Sequence, residues 1–153
     1  LTFGADMAQK FKLAYPLRGK LKEMTRILVA DDHDLVRETI SAFFESEGLD
    51  EVCSAASLDE AIEIAHETGS FDLVLIDYDM PGMNGLDGLK RMMAANGRRP
   101  VALISGAMTT ALADQALEMG AIGYVSKTLG SRSMIAAVRT MLNGNTFTPM
   151  NAT

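Results

Sequence analysis

A single cysteine, Cys53, among 153 residues excludes an internal disulfide and any thiolate-built metal site. Histidine is nearly as scarce, with only His33 and His66, so no cluster of imidazole ligands can form. There is no run of about 18 apolar residues and no signal-peptide core, so neither a membrane span nor export is expected and a reducing cytoplasm is the expected location. Basic residues are thin where nucleic acid would need them. Residues 24–153 carry nine Lys/Arg against eighteen Asp/Glu, whereas residues 1–23 carry five against two. Phosphate contacts need a concentrated basic patch, so direct nucleic-acid binding by the acidic part is not expected. Internal repeats and low-complexity segments are missing as well. What is present is 48% hydrophobic and 22% charged residues, enough to bury the core of one ordinary domain.

From Met24 onward, short β-branched or leucine-rich runs alternate five times with amphipathic helical patterns. The runs are RILVA (26–30), EVCSA (51–55), DLVLID (72–77), VALIS (101–105) and IGYVS (122–126). Helices are expected over 34–47, 57–68, 84–96, 109–119 and 131–143. Ser57 and Glu60 have capping-box spacing, and Gly48, Gly69, Gly97, Gly120 and Gly144 follow the helix ends, where a left-handed residue stops the coil. In the last helix, Met134, Ile135, Val138, Met141 and Leu142 form the expected core stripe, with Ala136, Ala137 and Arg139 expected outside. Strict alternation of strand and helix implies an α/β fold: a parallel sheet with helices on both faces.

In such a sheet, chemistry gathers at the carboxyl ends of the strands. Asp31 and Asp32 follow the first strand, Asp77 and Asp79 the third, Ser105 the fourth and Lys127 the fifth; the second ends in Ala55 and Ala56 and offers none. Carboxylates crowded at one edge repel unless a cation lies among them. Oxygen ligands without clustered His or Cys favour magnesium, which takes few carboxylates and keeps its waters. A lysine, a hydroxyl and a hard cation aimed at one carboxylate suit a phosphoryl group, so the expected reaction is phosphoryl transfer to Asp77.

These residues resemble the receiver domain of two-component response regulators. The pieces are ILVADDHDLVRE, LVLIDYDMPGMNG, VALISGA and GAIGYVSK, in order over about 24–147. The first and last are most similar to receivers that precede a helix-turn-helix output domain of the LuxR/FixJ type. The resemblance implies a flavodoxin-like, doubly wound (βα)5 sandwich with strand order 2-1-3-4-5. It makes Asp77 the phosphoacceptor for a histidine kinase or phosphotransfer protein. Mg2+ would be held by Asp32, Asp77 and the backbone carbonyl of Asp79, with Asp31 acting through water. Lys127 would pair with Asp77 and then with the phosphoryl oxygens, Ser105 would draw its loop inward toward the phosphoryl group, and Tyr124 would turn inward behind it. The protein would be a signalling switch catalysing only its own phosphorylation and dephosphorylation, with a homodimer or a C-terminal DNA-binding output domain receiving the signal.

Plainer readings accompany each residue. Asp31 and Asp32 could be helix-start acids, which is the leading account of Asp34; Ser105 a loop hydroxyl, Lys127 a solvated charge, Tyr124 a core-edge ring. His33 and His66 are expected to have no ligand role, Cys53 to fill a buried strand and the eleven methionines to fill core. The chain departs from the subgroup with Asp34 where proline is frequent, with an acid at Asp79 two places beyond the acceptor, and with Gly106 after the switch serine. A rival enzyme reading is a haloacid-dehalogenase-like phosphatase, with Asp77 as nucleophile and Asp79 as general acid, but those enzymes carry that motif on their first strand. A flavin binder would need a phosphate loop where DDHD stands. Residues 1–23, with Phe3, Met7, Phe11, Ala14 and Tyr15 at helical spacing, are expected to be an extension or expression remnant; 24–147 the receiver; and 148–153 the start of a linker.

Overall fold

The computed structural model describes residues 24–107 and 109–148, so the expected N-terminal extension and most of the expected linker lie outside the described residues. Five parallel strands form one sheet: β1 (Arg26–Ala30), β2 (Glu51–Ala55), β3 (Leu73–Asp77), β4 (Val101–Ser105) and β5 (Gly123–Ser126). Their order is β2-β1-β3-β4-β5, as the resemblance implies. The helices are α1 (Asp34–Ser46), α2 (Leu58–Thr68), α3 (Leu86–Ala95), α4 (Thr110–Met119) and α5 (Ser131–Leu142). The two-residue side-chain period of the strands divides the core. Val74 and Ile76 of β3 join Leu58 and Ala61 of α2, Leu89 and Met92 of α3, and Ala113 of α4. Leu73 and Leu75 face the other way, onto Phe44 of α1 and Met134, Val138 and Met141 of α5. Each buried aliphatic side chain contributes about 1.5–3 kcal/mol.

Local signals set the element ends. Ser57 Oγ accepts from the Glu60 amide at 3.1 Å, and the Glu60 carboxylate accepts from Ala56 N–H at 2.7 Å, closing the box one residue outside the cap. All five helix-terminating glycines have positive φ. Helix α3 begins two residues later than expected, because Asn84 and Gly85 adopt φ of 52° and 68°, which no helix admits. Ala137 is a correction: it is fully buried, on the stripe of Met134, Val138 and Met141, because the i, i+3, i+4, i+7 face includes it and a small side chain lets α5 approach the sheet. Cys53 is only half-buried, since β2 is an edge strand.

Register positions the site. Ala30 pairs with both Ala55 and Ile76, Asp77 with Ile104, and Ser105 with Ser126. Backbone bonds carry the ladder one step further, from Asp31 N–H to Ala55 O, from Tyr78 N–H to Ile104 O and from Lys127 N–H to Ser105 O. The residues following β1, β3 and β5 are thus fixed side by side at one edge.

Candidate functional site

At the end of β3 the Asp77 side chain is fully buried, and so is that of Asp31 after β1. Between them lies the Lys127 ammonium, 3.0 Å from Asp77 Oδ2 and 2.9 Å from Asp31 Oδ2. Burial pushes the Asp77 carboxyl above the usual carboxylate range, and the charge of Asp31 adds to this, against the hydrogen bonds from the Asp79 amide and Lys127. Burial acts on Asp31 in the same direction. There the bonds from the His33 amide and Lys127 outweigh it, so the Asp31 carboxyl falls below its ordinary value. Burial works against the charged form of Lys127 too, but its two carboxylate partners win and hold it above the usual lysine range.

The turn between β3 and α3 shapes the outer wall. Asp77 Oδ1 accepts from Asp79 N–H at 3.0 Å, and the PGMNG run supplies positive φ at Gly82, Asn84 and Gly85, which a tight reversal needs. The Asp79 side chain is exposed at its rim. On the first loop, Arg37 Nη1 donates to the Asp31 carbonyl at 2.7 Å and Nη2 to Asp34 at 2.8 Å, so the acid that departs from the subgroup braces the loop through Arg37. Ser105 is buried, its hydroxyl accepting from Ala107 N–H at 3.1 Å. Tyr124 is already inside, fully buried, its hydroxyl donating to the Ala107 carbonyl at 3.2 Å.

Three carboxylates face one ammonium here. Ligand atoms of Asp31, Asp32, His33 and Asp77 lie within 4.8 Å of one another, and the buried Asp32 Oδ1, 3.4 Å from His33 Nδ1, has no hydrogen-bond partner among the described residues. An orphaned carboxylate oxygen beside uncompensated negative charge fits a hard divalent cation such as magnesium. The Asp79 side chain does not belong to this cluster. His33, expected to stand apart, does: its Nδ1 is 3.0 Å from Asp31 Oδ1 and 3.9 Å from Asp77 Oδ2. Its place at the start of α1, directly after the two acids, was the available signal; the side-chain direction that turns it back over them was not visible. Beside Lys127 an open apolar groove of about 330 Å³ runs between α1 and α5, lined by Leu35, Val36, Ile40, Phe43, Leu129 and Met134.

Residues 27–139 match the model of the response regulator receiver domain. The chain belongs to this family. It is a receiver domain of two-component response regulators. Among curated relatives, the glycerol metabolism activator of Pseudomonas putida is 36% identical over 128 residues, covering 82% of this chain and 58% of the relative. The response regulator GacA of Pseudomonas viridiflava is 33% identical over 125 residues, covering 81% and 58%. The chain therefore spans under two thirds of the length of these relatives. Of solved structures, a LuxR family DNA-binding response regulator from Silicibacter pomeroyi is 32% identical with a TM-score of 0.72, covering 82% of this chain and 97% of that one. A LuxR family two-component response regulator from an Aurantimonas species is 28% identical with a TM-score of 0.74, covering 82% and 89%. Receiver membership and a third-strand position for Asp77 leave the phosphatase alternative without support. No helix among the described residues is long and apolar enough to cross a membrane.

Proposed function

We propose that Asp77 is the phosphoacceptor of this receiver and that Mg2+ is its cofactor, held by Asp32, Asp77 and the Asp79 carbonyl, with Asp31 acting through water. The observation that carries this reading is the Lys127 ammonium seated between two fully buried carboxylates next to an orphaned Asp32 oxygen. Asp77 Oδ attacks the phosphorus of a phosphohistidine on a kinase or phosphotransfer protein; the new O–P bond forms an acyl phosphate as the P–N bond breaks and the imidazole leaves. Lys127 exchanges one Asp77 oxygen for a phosphoryl oxygen, keeping its charge beside the transferring group. The bound cation supplies charge neutralisation to the phosphoryl oxygens. Asp79 N–H holds the other Asp77 oxygen and fixes the direction of attack. The groove beside Lys127, with Leu35 76% exposed at its rim, suits an apolar helix of the donor.

Ser105 and Tyr124 form the switch. Ser105 turns from Ala107 toward the phosphoryl oxygen, and Tyr124 occupies the inward position seen here. The surface that repacks is α4, β5 and α5, which would dimerise or act on a DNA-binding output region of the kind named for relatives of this chain. Incubation with acetyl phosphate and magnesium should add one phosphate, lost on chelation. Full labelling in the presence of a chelator would overturn the assignment of the metal, and no labelling under any condition that of the acceptor.

A further inference from the structure

After α5 the chain returns to the sheet. Phe147 forms an isolated parallel bridge with Gly123, its N–H donating to Ile122 O at 3.1 Å and its carbonyl accepting from Tyr124 N–H at 3.0 Å. At the edge of the sheet, this bridge satisfies the Ile122 carbonyl and the Tyr124 N–H at the start of β5. The grip is built into the sequence. A Cβ on Gly123 would come within 2.7 Å of Phe147 O and 2.5 Å of Met141 Sδ, so the strap fits against β5 only because residue 123 is glycine. The Phe147 ring lies in the core beneath α5, with Val125, Val138 and Met141, whereas the Tyr124 ring lies in the core on the opposite face. Tyr124 is therefore held twice: its backbone by Phe147, and its hydroxyl by Ala107, which also bonds the Ser105 hydroxyl.

We infer that the Phe147 strap is the element that couples the switch to the chain beyond it. The backbone of Tyr124 sits between β4 on one side and Phe147 on the other, and the inward ring and the seated strap occur together in this structure. Anything that holds the ring inward holds the strap, and a seated strap favours the inward ring. Coupling of this kind is reciprocal. The direction of the chain leaving residue 148 is thereby tied to the state of Asp77, without a new contact at the phosphorylation site. The inference rests on the receiver reading of Asp77, Ser105 and Tyr124.

The test uses the whole chain with magnesium and beryllofluoride, which stands in for the phosphoryl group. Amide exchange of Tyr124 and Phe147 should slow on adding the mimic. Phe147→Ala and Gly123→Ala, each loosening the strap, should lower the affinity for the mimic by about five-fold or more, with far-ultraviolet circular dichroism unchanged. If the mimic binds and the amides at Ser105 and Ala107 respond, but exchange of Tyr124 and Phe147 is unaltered, the coupling is refuted while the receiver reading stands. Variant affinities within about two-fold of the parent, with the strap amides exposed, refute it equally. Absence of any binding by the parent chain removes both. The parent's exchange arm decides the matter even if a variant fails to fold.

Discussion

Replacing Lys127 with methionine keeps the length of the side chain and removes the ammonium between Asp31 and Asp77. Both carboxylates are fully buried, 2.9 and 3.0 Å from that nitrogen, and the lysine itself is only 15% exposed. Removing one partner from such a group costs about 3–5 kcal/mol, because the remaining charges are left unpaired. A domain of this size has about 5–15 kcal/mol in all. The loss should also change how stability follows pH. In the parent, the depressed Asp31 contributes stability that is present above its unfolded value and lost as pH falls through its folded one. The raised Lys127 contributes stability present through neutrality and lost as pH rises through its folded value, while the raised Asp77 contributes stability that is lost as pH climbs through its folded value. In the variant the Lys127 bonds that lower both carboxyls are gone, leaving burial and mutual repulsion to raise them against the amides of His33 and Asp79. The folded state then binds more protons than it does in the parent, so stability falls more steeply than the parent's as pH rises from the usual carboxylate range toward neutrality. Urea unfolding across that range reads the slope, and magnesium at about 100 times its Kd should restore about 2.7 kcal/mol. A loss below about 1 kcal/mol with no pH slope would refute the view that Lys127 holds the two acids together.

Asp79→Asn removes an exposed charge at the rim of the pocket but keeps the amide that bonds Asp77; the lifetime of the acyl phosphate should change several-fold while its formation persists, as phosphate release over time will show, and complete loss of labelling would make the side chain an essential ligand. Asn96 is fully buried, its Oδ1 accepting from Phe71 N–H at 2.7 Å and its Nδ2 donating to Phe71 O at 3.1 Å. Asn96→Ala orphans both backbone groups and should cost about 2–4 kcal/mol in urea unfolding, with a loss under about 1 kcal/mol meaning that water replaces the amide.

The layout of the sheet was legible because buried strands read as β-branched and leucine runs and the helices carry their own stops, such as Gly120 with φ of 114°. The candidate site stood out for a related reason: a carboxylate ending a buried run, as Asp77 does, has no packing role to explain it. What escaped depends on side-chain direction or on single contacts. His33 reads as an exposed helix-start residue, and only its rotamer brings Nδ1 to Asp31. Asn96 resembles a helix-stop residue; its bonds to Phe71, 25 positions away, have no sequence signal. Ala137 was placed outside because alanine carries little hydrophobic weight, although the helical period puts it under α5. Phe147 forms a bridge one residue long, too short for alternation to announce a strand.

The identity of the phosphorylated atom tests the account most directly. After acetyl phosphate labelling in magnesium, reduction with borohydride converts an aspartyl phosphate to homoserine, and peptide mass spectrometry locates it. Homoserine at residue 77, and nowhere in Asp77→Asn, is the predicted result. Phosphate on His33, whose Nδ1 is 3.9 Å from Asp77 Oδ2, or on Ser105, with residue 77 unmodified, would contradict it.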